Sequence, residues 1–162
     1  MERITSFCVD HNQLTPGIYL SREDATPSGD IIRTYDIRMR APNHETVLSI
    51  ASAHTIEHLG ATFLRNDPVW WNKTIYFGPM GCRTGMYVLF SSEPLGEEVM
   101  QILQKMYQWI GELPDEYQIP GATAAECGNY SDHNLPEAKK DAQRFFEIIK
   151  NEKDLGKYTY LN

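Results

Sequence analysis

The sequence contains no apolar run long enough to cross a membrane, and it has no excess of positive charge. Its 15 Lys and Arg residues are outnumbered by 22 Asp and Glu residues, which gives a net charge of −7. A transmembrane helix needs about 18 consecutive apolar residues, and a nucleic-acid-binding face needs clustered cations. We therefore expect neither a membrane-spanning protein nor a nucleic-acid-binding one.

Cysteine is also scarce, because the chain has only Cys8, Cys82 and Cys127. Three thiols cannot all pair, which favours a reducing compartment over a disulfide framework. The N-terminal residues show no apolar stretch of signal-peptide length. We therefore expect a cytoplasmic protein in which at least one thiol is a metal ligand or a catalytic group, with Cys8 as a structural or incidental residue.

The spacing of apolar residues predicts a single α+β domain over residues 1–162, a length sufficient for a sizeable core. Alternation of apolar and polar residues predicts strands, and apolar residues at helical spacing predict helices. The predicted strands cover residues 18–20, 31–40, 70–77 and 86–91, and the predicted helices cover residues 45–64, 95–113 and 136–153. Consecutive strands broken by long helices favour an antiparallel sheet with helices packed on one face.

The most informative segment is His54-Thr55-Ile56-Glu57-His58, which lies within the first predicted helix. Positions i and i+4 of a helix lie one above the other, so His54 and His58 can reach the same point in space. Glu57 flanks that point. Two imidazoles beside a carboxylate are typical of a metal site with a general acid or base next to it.

Two cysteines could complete such a site. Cys127 would have to reach the histidines through folding. Two imidazoles and one thiolate would leave a tetrahedral ion with one open position, as in catalytic metal sites. Cys82 lies in a Gly-rich bend next to Arg83, where a thiol can be exposed and its thiolate favoured.

Two other functions fit parts of the pattern. His-x-x-Glu-His is also the inverted zinc-peptidase motif, which uses a glutamate as its third ligand, and Glu126 precedes Cys127. A structural or regulatory metal site would instead need a closed fourth coordination position, for which the sequence suggests no residue. We predict that His44 and His133, among polar neighbours, are solvated. Trp70, Trp71 and Tyr76 are predicted to lie in the core or at a subunit interface.

Five segments, in this order, identify a family resemblance that extends over nearly the whole chain. They are Ser6-Phe7 with Asp10-His11-Asn12, Tyr35-Asp36-Ile37-Arg38, His54-Thr55-Ile56-Glu57-His58, Pro79-Met80-Gly81-Cys82-Arg83-Thr84-Gly85 and Glu126-Cys127-Gly128. Together they resemble the S-ribosylhomocysteine lyases of the LuxS type, which act in methyl-cycle recycling and autoinducer-2 synthesis.

The resemblance implies a role for each matched residue. His54, His58 and Cys127 would hold one divalent metal per subunit, natively Fe(II), although a site with one thiolate also suits Zn(II) or Co(II). Glu57 and Cys82 would be the acid/base pair. The residues that would line the ribosyl pocket are Ser6, His11 and Arg38.

The resemblance also implies a homodimer with active sites at the subunit interface, so that the N-terminal segment of one chain could serve the metal of its partner. The substrate would be S-ribosylhomocysteine. At Tyr76-Phe77-Gly78 the chain departs from many relatives, which carry an acidic residue there. The resemblance therefore assigns no residue to the homocysteine end of the substrate.

Overall fold

The computed structural model describes residues 2–92 and 96–161. A short 3-10 turn at Thr5–Phe7 precedes the main elements, which are β1 (Gly17–Ala25), β2 (Ile31–Arg38), α1 (Ile50–Asn66), β3 (Thr74–Pro79), β4 (Gly85–Ser91), α2 (Gly96–Glu112) and α3 (Leu135–Ile149). The strands form one antiparallel sheet in the order β1-β2-β4-β3. The predicted α+β class with an antiparallel sheet is confirmed.

One face of the sheet forms the main core with the helices. Ile37 of β2 lies opposite Ile18 of β1 and Met86 of β4. All three side chains are buried, in a cluster that includes buried residues of α1, α2 and α3. Because successive side chains of a strand point to opposite faces, Asp36 and Arg38 lie on the other face of the sheet.

That second face is covered by the two ends of the described chain. Val9 pairs with Tyr160 in an isolated antiparallel bridge, and Gly156 pairs with Tyr19 of β1. The ring of Tyr19 stacks on Tyr158 with its centroid 4.9 Å away. The N-terminal and C-terminal segments therefore pack beside the polar residues of β2.

Helix α1 begins at Ile50, so the predicted start at residue 45 is wrong. The backbone N–H of Leu48 donates to the carbonyl of Arg83 at 2.9 Å, which holds this segment against the β3–β4 turn. Ser49 then caps the helix by accepting from the N–H of Ser52 at 3.0 Å. A long-range contact thus overrides a local helical pattern.

Other predicted boundaries also move, and β1 extends over Gly17–Ala25 where only residues 18–20 were predicted. Strand β3 begins at Thr74, not at Trp70. The N–H of Thr74 donates to the carbonyl of Trp70 at 3.0 Å, so the residues between them form a turn. Strand β2 ends at Arg38, and helix α3 ends at Ile149. The predicted start of the second helix, residue 95, lies outside the described residues.

Asp141 of α3 fixes the position of α1. Its carboxylate accepts from Ser52 Oγ of α1 at 2.6 Å and forms a buried ion pair with Arg40, just after β2. Asp141 thereby joins α3, the segment just after β2, and α1 at Ser52, two residues before His54. Across residues 2–92 and 96–161 no helix is long and apolar enough to span a membrane.

Candidate metal centre

Helix α1 presents His54 and His58 side by side, as their spacing predicts. Their ring centroids are 4.7 Å apart and the rings are nearly perpendicular. The loop between α2 and α3 brings Cys127 to the same place, with its Sγ 3.4 Å from His54 Nε2. The three predicted ligands therefore converge, although Cys127 is distant from α1 in sequence.

Backbone carbonyls fix the orientation of both imidazoles. His54 Nδ1 lies 2.9 Å from the carbonyl oxygen of Asp132, and His58 Nδ1 lies 2.7 Å from that of Pro120. A carbonyl can only accept, so each Nδ1 carries the hydrogen and each Nε2 keeps its lone pair. Such outer contacts are the usual support of metal-ligating histidines, and this donor set fits a divalent transition metal.

Gly121 allows the loop to approach His58 closely. Its φ is +72°, and a Cβ at this position would lie 3.2 Å from His58 Nδ1. A side chain would therefore be strained by the backbone conformation and crowded against the imidazole. The glycine lets the neighbouring Pro120 carbonyl reach the ring.

The thiol of Cys127 is held by a tight turn. The N–H groups of Glu126 and Cys127 both donate to the carbonyl of Thr123 at 3.0 Å, and the N–H of Asn129 points at Cys127 Sγ from 3.4 Å. The Glu126 carboxylate instead accepts from Thr123 Oγ1 at 2.7 Å. Among the described residues Glu126 does not belong to the metal-binding cluster, so the third ligand required by the peptidase interpretation is missing.

His133 is not solvated, and that prediction is wrong. Its ring stacks on His54 with centroids 4.1 Å apart, and it meets the edge of His58 at 4.7 Å. The potential ligand atoms of His54, His58, Cys127 and His133 all lie within 4.8 Å of one another. Burial lowers the pKa of His133, and the neighbouring His54 and His58 lower it further.

Sequence reasoning missed His133 because nothing in its immediate neighbours indicates a site. The one available signal is its position directly before Asn134, the residue that caps α3, in the same loop as Cys127. A histidine at the end of a loop that already supplies a ligand is a candidate for the same site.

Glu57 lines an open cleft of about 380 Å³ between α1 and the β3–β4 turn. His54, Asp132 and the turn residues Pro79, Met80, Gly81 and Arg83 also line this cleft. Burial and then the charge of Glu57 raise the pKa of Tyr76. The cleft is therefore the place where a small molecule can meet both the carboxylate and the histidine cluster.

The three aromatic residues predicted to lie in the core or at an interface differ in their exposure in the single chain. Trp70 is buried in the main core, whereas Trp71 and Tyr76 are exposed. The core prediction therefore holds for Trp70 only.

Cys82 is exposed at the β3–β4 turn but does not line the cleft with Glu57. Its Sγ lies 3.0 Å from Thr84 Oγ1 and 3.8 Å from Arg38 Nη1. Partial burial raises the pKa of the thiol, but hydrogen bonds with Thr84 and the charge of Arg38 outweigh it, so that the pKa lies below its ordinary value. The next residue, Arg83, has a φ of +57°, a conformation that costs energy for a side-chain-bearing residue.

The three residues assigned to the ribosyl pocket line a different cavity, on the second face of the sheet. Ser6, His11 and Arg38 surround it together with Asp36 and Tyr158. Its volume is about 20 Å³, which is room for a single water molecule. In one chain the predicted site is thus divided into the histidine cluster with Glu57 and a second group beside Cys82.

The family model described as LuxS, S-ribosylhomocysteinase, matches residues 4–155. The chain belongs to the LuxS family. A relative from Clostridium acetobutylicum, named S-ribosylhomocysteine lyase, is 48% identical over 93% of this chain and 94% of its own.

Two further LuxS-family relatives bear the same name. One from Borrelia garinii is 46% identical over 95% of this chain and 96% of its own. One from Desulfotalea psychrophila is 43% identical over 96% of this chain and 98% of its own. The resemblance drawn from the five segments is confirmed, and the peptidase interpretation gains no support.

The contacts of Cys82 generate a prediction for Thr84→Val. This change removes the hydroxyl that stabilises the thiolate, so we expect the pKa of Cys82 to rise. The pH profile of Cys82 alkylation by iodoacetamide, followed by mass spectrometry of its peptide, should shift to higher pH. Thr84→Ser keeps the hydroxyl and should leave the profile near that of the unmodified protein. An equal shift in both variants, or in neither, would contradict the role of the hydroxyl.

Proposed function

We propose that the protein cleaves the thioether of S-ribosylhomocysteine to homocysteine and 4,5-dihydroxy-2,3-pentanedione, the precursor of autoinducer-2. The observation that carries the proposal is the convergence of His54, His58 and Cys127 beside Glu57 in a chain of the LuxS family. Relatives that match nearly the whole chain are named for this lyase activity.

His54 Nε2, His58 Nε2 and Cys127 Sγ are the proposed ligands of one divalent metal ion per subunit. The family resemblance implies Fe(II), and the two-imidazole, one-thiolate donor set suits Zn(II) or Co(II) as well. When bound, the ion supplies Lewis-acid stabilisation of negative charge on a sugar oxygen. Three protein ligands would leave a four-coordinate ion with one position for an oxygen of the substrate.

Glu57 and Cys82 are the proposed acid/base pair. The sugar carbonyl must migrate until the sulfur lies β to it, and each move takes a proton from one carbon and returns it to the next. Glu57 faces the cleft that contains His54, so its carboxylate is placed to accept and return a proton there. The lowered pKa of Cys82 increases the fraction of thiolate available as the second base. β-Elimination then releases homocysteine.

Ser6, His11 and Arg38 are proposed to bind the substrate in a homodimer. In one chain they lie away from the cleft, in a cavity too small for a sugar. The N-terminal segment exposes Ile4 and Phe7, at 58% and 66% of their surface, as a segment that docks on a second copy would. The three cysteines are free, which supports a reducing, cytoplasmic location.

The lyase proposal is tested by anaerobic incubation of metal-loaded protein with S-ribosylhomocysteine, following the release of free thiol. Cys82→Ala and Glu57→Gln should each keep one equivalent of metal and lose at least about a hundredfold in turnover, a typical loss for an acid/base residue. Cys127→Ala should lose both metal and turnover, whereas Glu126→Gln should keep both. Loss of metal from Cys82→Ala, or no thiol release from the fully loaded unmodified protein, would contradict the assignment.

A mixing experiment tests the shared site. Cys127→Ala removes a proposed ligand, and His11→Ala removes a group from the N-terminal segment. If His11 serves the partner's metal, each mixed dimer regains one intact site. An equimolar mixture should then reach about a quarter of the unmodified activity after subunit exchange. A mixture no more active than the sum of the two variants would contradict a site built from two chains.

A further inference from the structure

His133 has a ring nitrogen, Nε2, to which the proposed reaction assigns no role. Its Nε2 is buried and has no hydrogen-bond partner among the described residues. Buried ring nitrogens normally have a partner, and the ring of His133 lies against those of His54 and His58, with its ligand atom within 4.8 Å of theirs. His133 is therefore aimed at a group that the chain itself does not supply.

The protonation of His133 follows from its neighbour Thr55. The Thr55 hydroxyl donates its only hydrogen to the carbonyl of Ala51 at 2.8 Å and accepts from the N–H of Asn134 at 2.9 Å. His133 Nδ1, 3.2 Å from the same oxygen, must then be the donor of that contact. In the neutral ring Nε2 consequently carries a lone pair and can only accept a hydrogen bond.

Stacking distinguishes His133 from the proposed ligands. A histidine binds a metal through a lone pair in the plane of its ring. His54 and His58 are nearly perpendicular, at 85°, whereas His133 lies over the face of His54 at an angle of 22°. Two rings stacked face to face cannot both direct their lone pairs at one ion, so His133 does not close the fourth coordination position.

We propose that His133 accepts a hydrogen bond from the hydroxyl group that lies in the position left open by His54, His58 and Cys127. That group is water in the free protein and a hydroxyl of the open-chain sugar in the complex; the identity of the sugar rests on the proposed function. His133 is thus a positioning residue that favours a ligand presenting O–H at this point.

Two substitutions of His133 test the roles of its two ring nitrogens separately. The amide of asparagine reaches the position of Nδ1, so His133→Asn keeps a donor to Thr55 and removes the acceptor. The longer glutamine places its oxygen near the position of Nε2, so His133→Gln restores the acceptor. His44→Asn is the matched control, because His44 is exposed and its ring has its hydrogen-bond partner in the carbonyl of Asn12, at 3.1 Å, away from the histidine cluster.

The variants are loaded with Co(II) and compared by metal content, by visible spectrum without substrate, and by steady-state kinetics with S-ribosylhomocysteine. We expect one equivalent of metal in every variant, and a shifted substrate-free spectrum in His133→Asn only. The KM of His133→Asn should rise about tenfold with a smaller change in kcat, the loss expected for one hydrogen bond to the bound ligand. His133→Gln and His44→Asn should stay close to the unmodified protein.

The outcomes separate this proposal from the lyase assignment. Loss of metal from His133→Asn would make His133 a ligand and overturn the proposal, and so would an unchanged spectrum and KM. If the unmodified protein released no thiol while the substrate-free spectra behaved as expected, the lyase assignment would fail and the acceptor role of His133 would stand.

Discussion

Three hydrogen bonds at Nδ1 determine what the histidine cluster can do. The carbonyls of Asp132 and Pro120 and the hydroxyl of Thr55 each accept from one imidazole, which leaves the Nε2 lone pairs of His54 and His58 free to meet at one point and that of His133 free beside them. Without these contacts the rings could rotate or exchange tautomers, and the cluster would lose its directed donors. The fold around the site serves to keep these acceptors in place.

Most of that support comes from the loop between α2 and α3. This loop supplies the thiol of Cys127 and two of the accepting carbonyls, so it both completes and orients the site. It is tied to α1 through the contact of Asn134 with Thr55, and α3, which follows it, is tied to α1 through the bond of Asp141 with Ser52. The helix and the loop therefore position each other, and the cleft beside Glu57 depends on both.

The sequence predicts the parts of the site that follow from local geometry. The i, i+4 spacing places His54 and His58 together whatever the tertiary fold, and the alternating pattern of β2 places Arg38 opposite the core face. The position of Cys127 was a hypothesis from chemistry and family resemblance, which the fold supports. The roles of Ser6 and His11 stay predictions, because one chain does not bring them to the cleft.

The features that sequence missed all depend on long-range contacts. Helix α1 starts at Ile50 because Leu48 bonds to the β3–β4 turn, which no local pattern encodes. His133 joins the cluster only because the loop folds back onto α1. The favoured thiolate of Cys82 was predicted from the adjacent Arg83, but besides Thr84 the group that lowers its pKa is Arg38, which is distant in sequence. The spacing of apolar residues predicts single helices and strands, whereas each of these long-range contacts joins two separate parts of the chain.

The central claim is that two imidazoles and one thiolate hold the metal and leave a position open for a substrate oxygen. X-ray absorption spectroscopy of the metal-loaded protein tests it most directly, because it counts sulfur and imidazole ligands. The account predicts one sulfur and two imidazoles, with the sulfur lost in Cys127→Ala and retained in Cys82→Ala. Three imidazoles, or a sulfur that persists in Cys127→Ala, would contradict it.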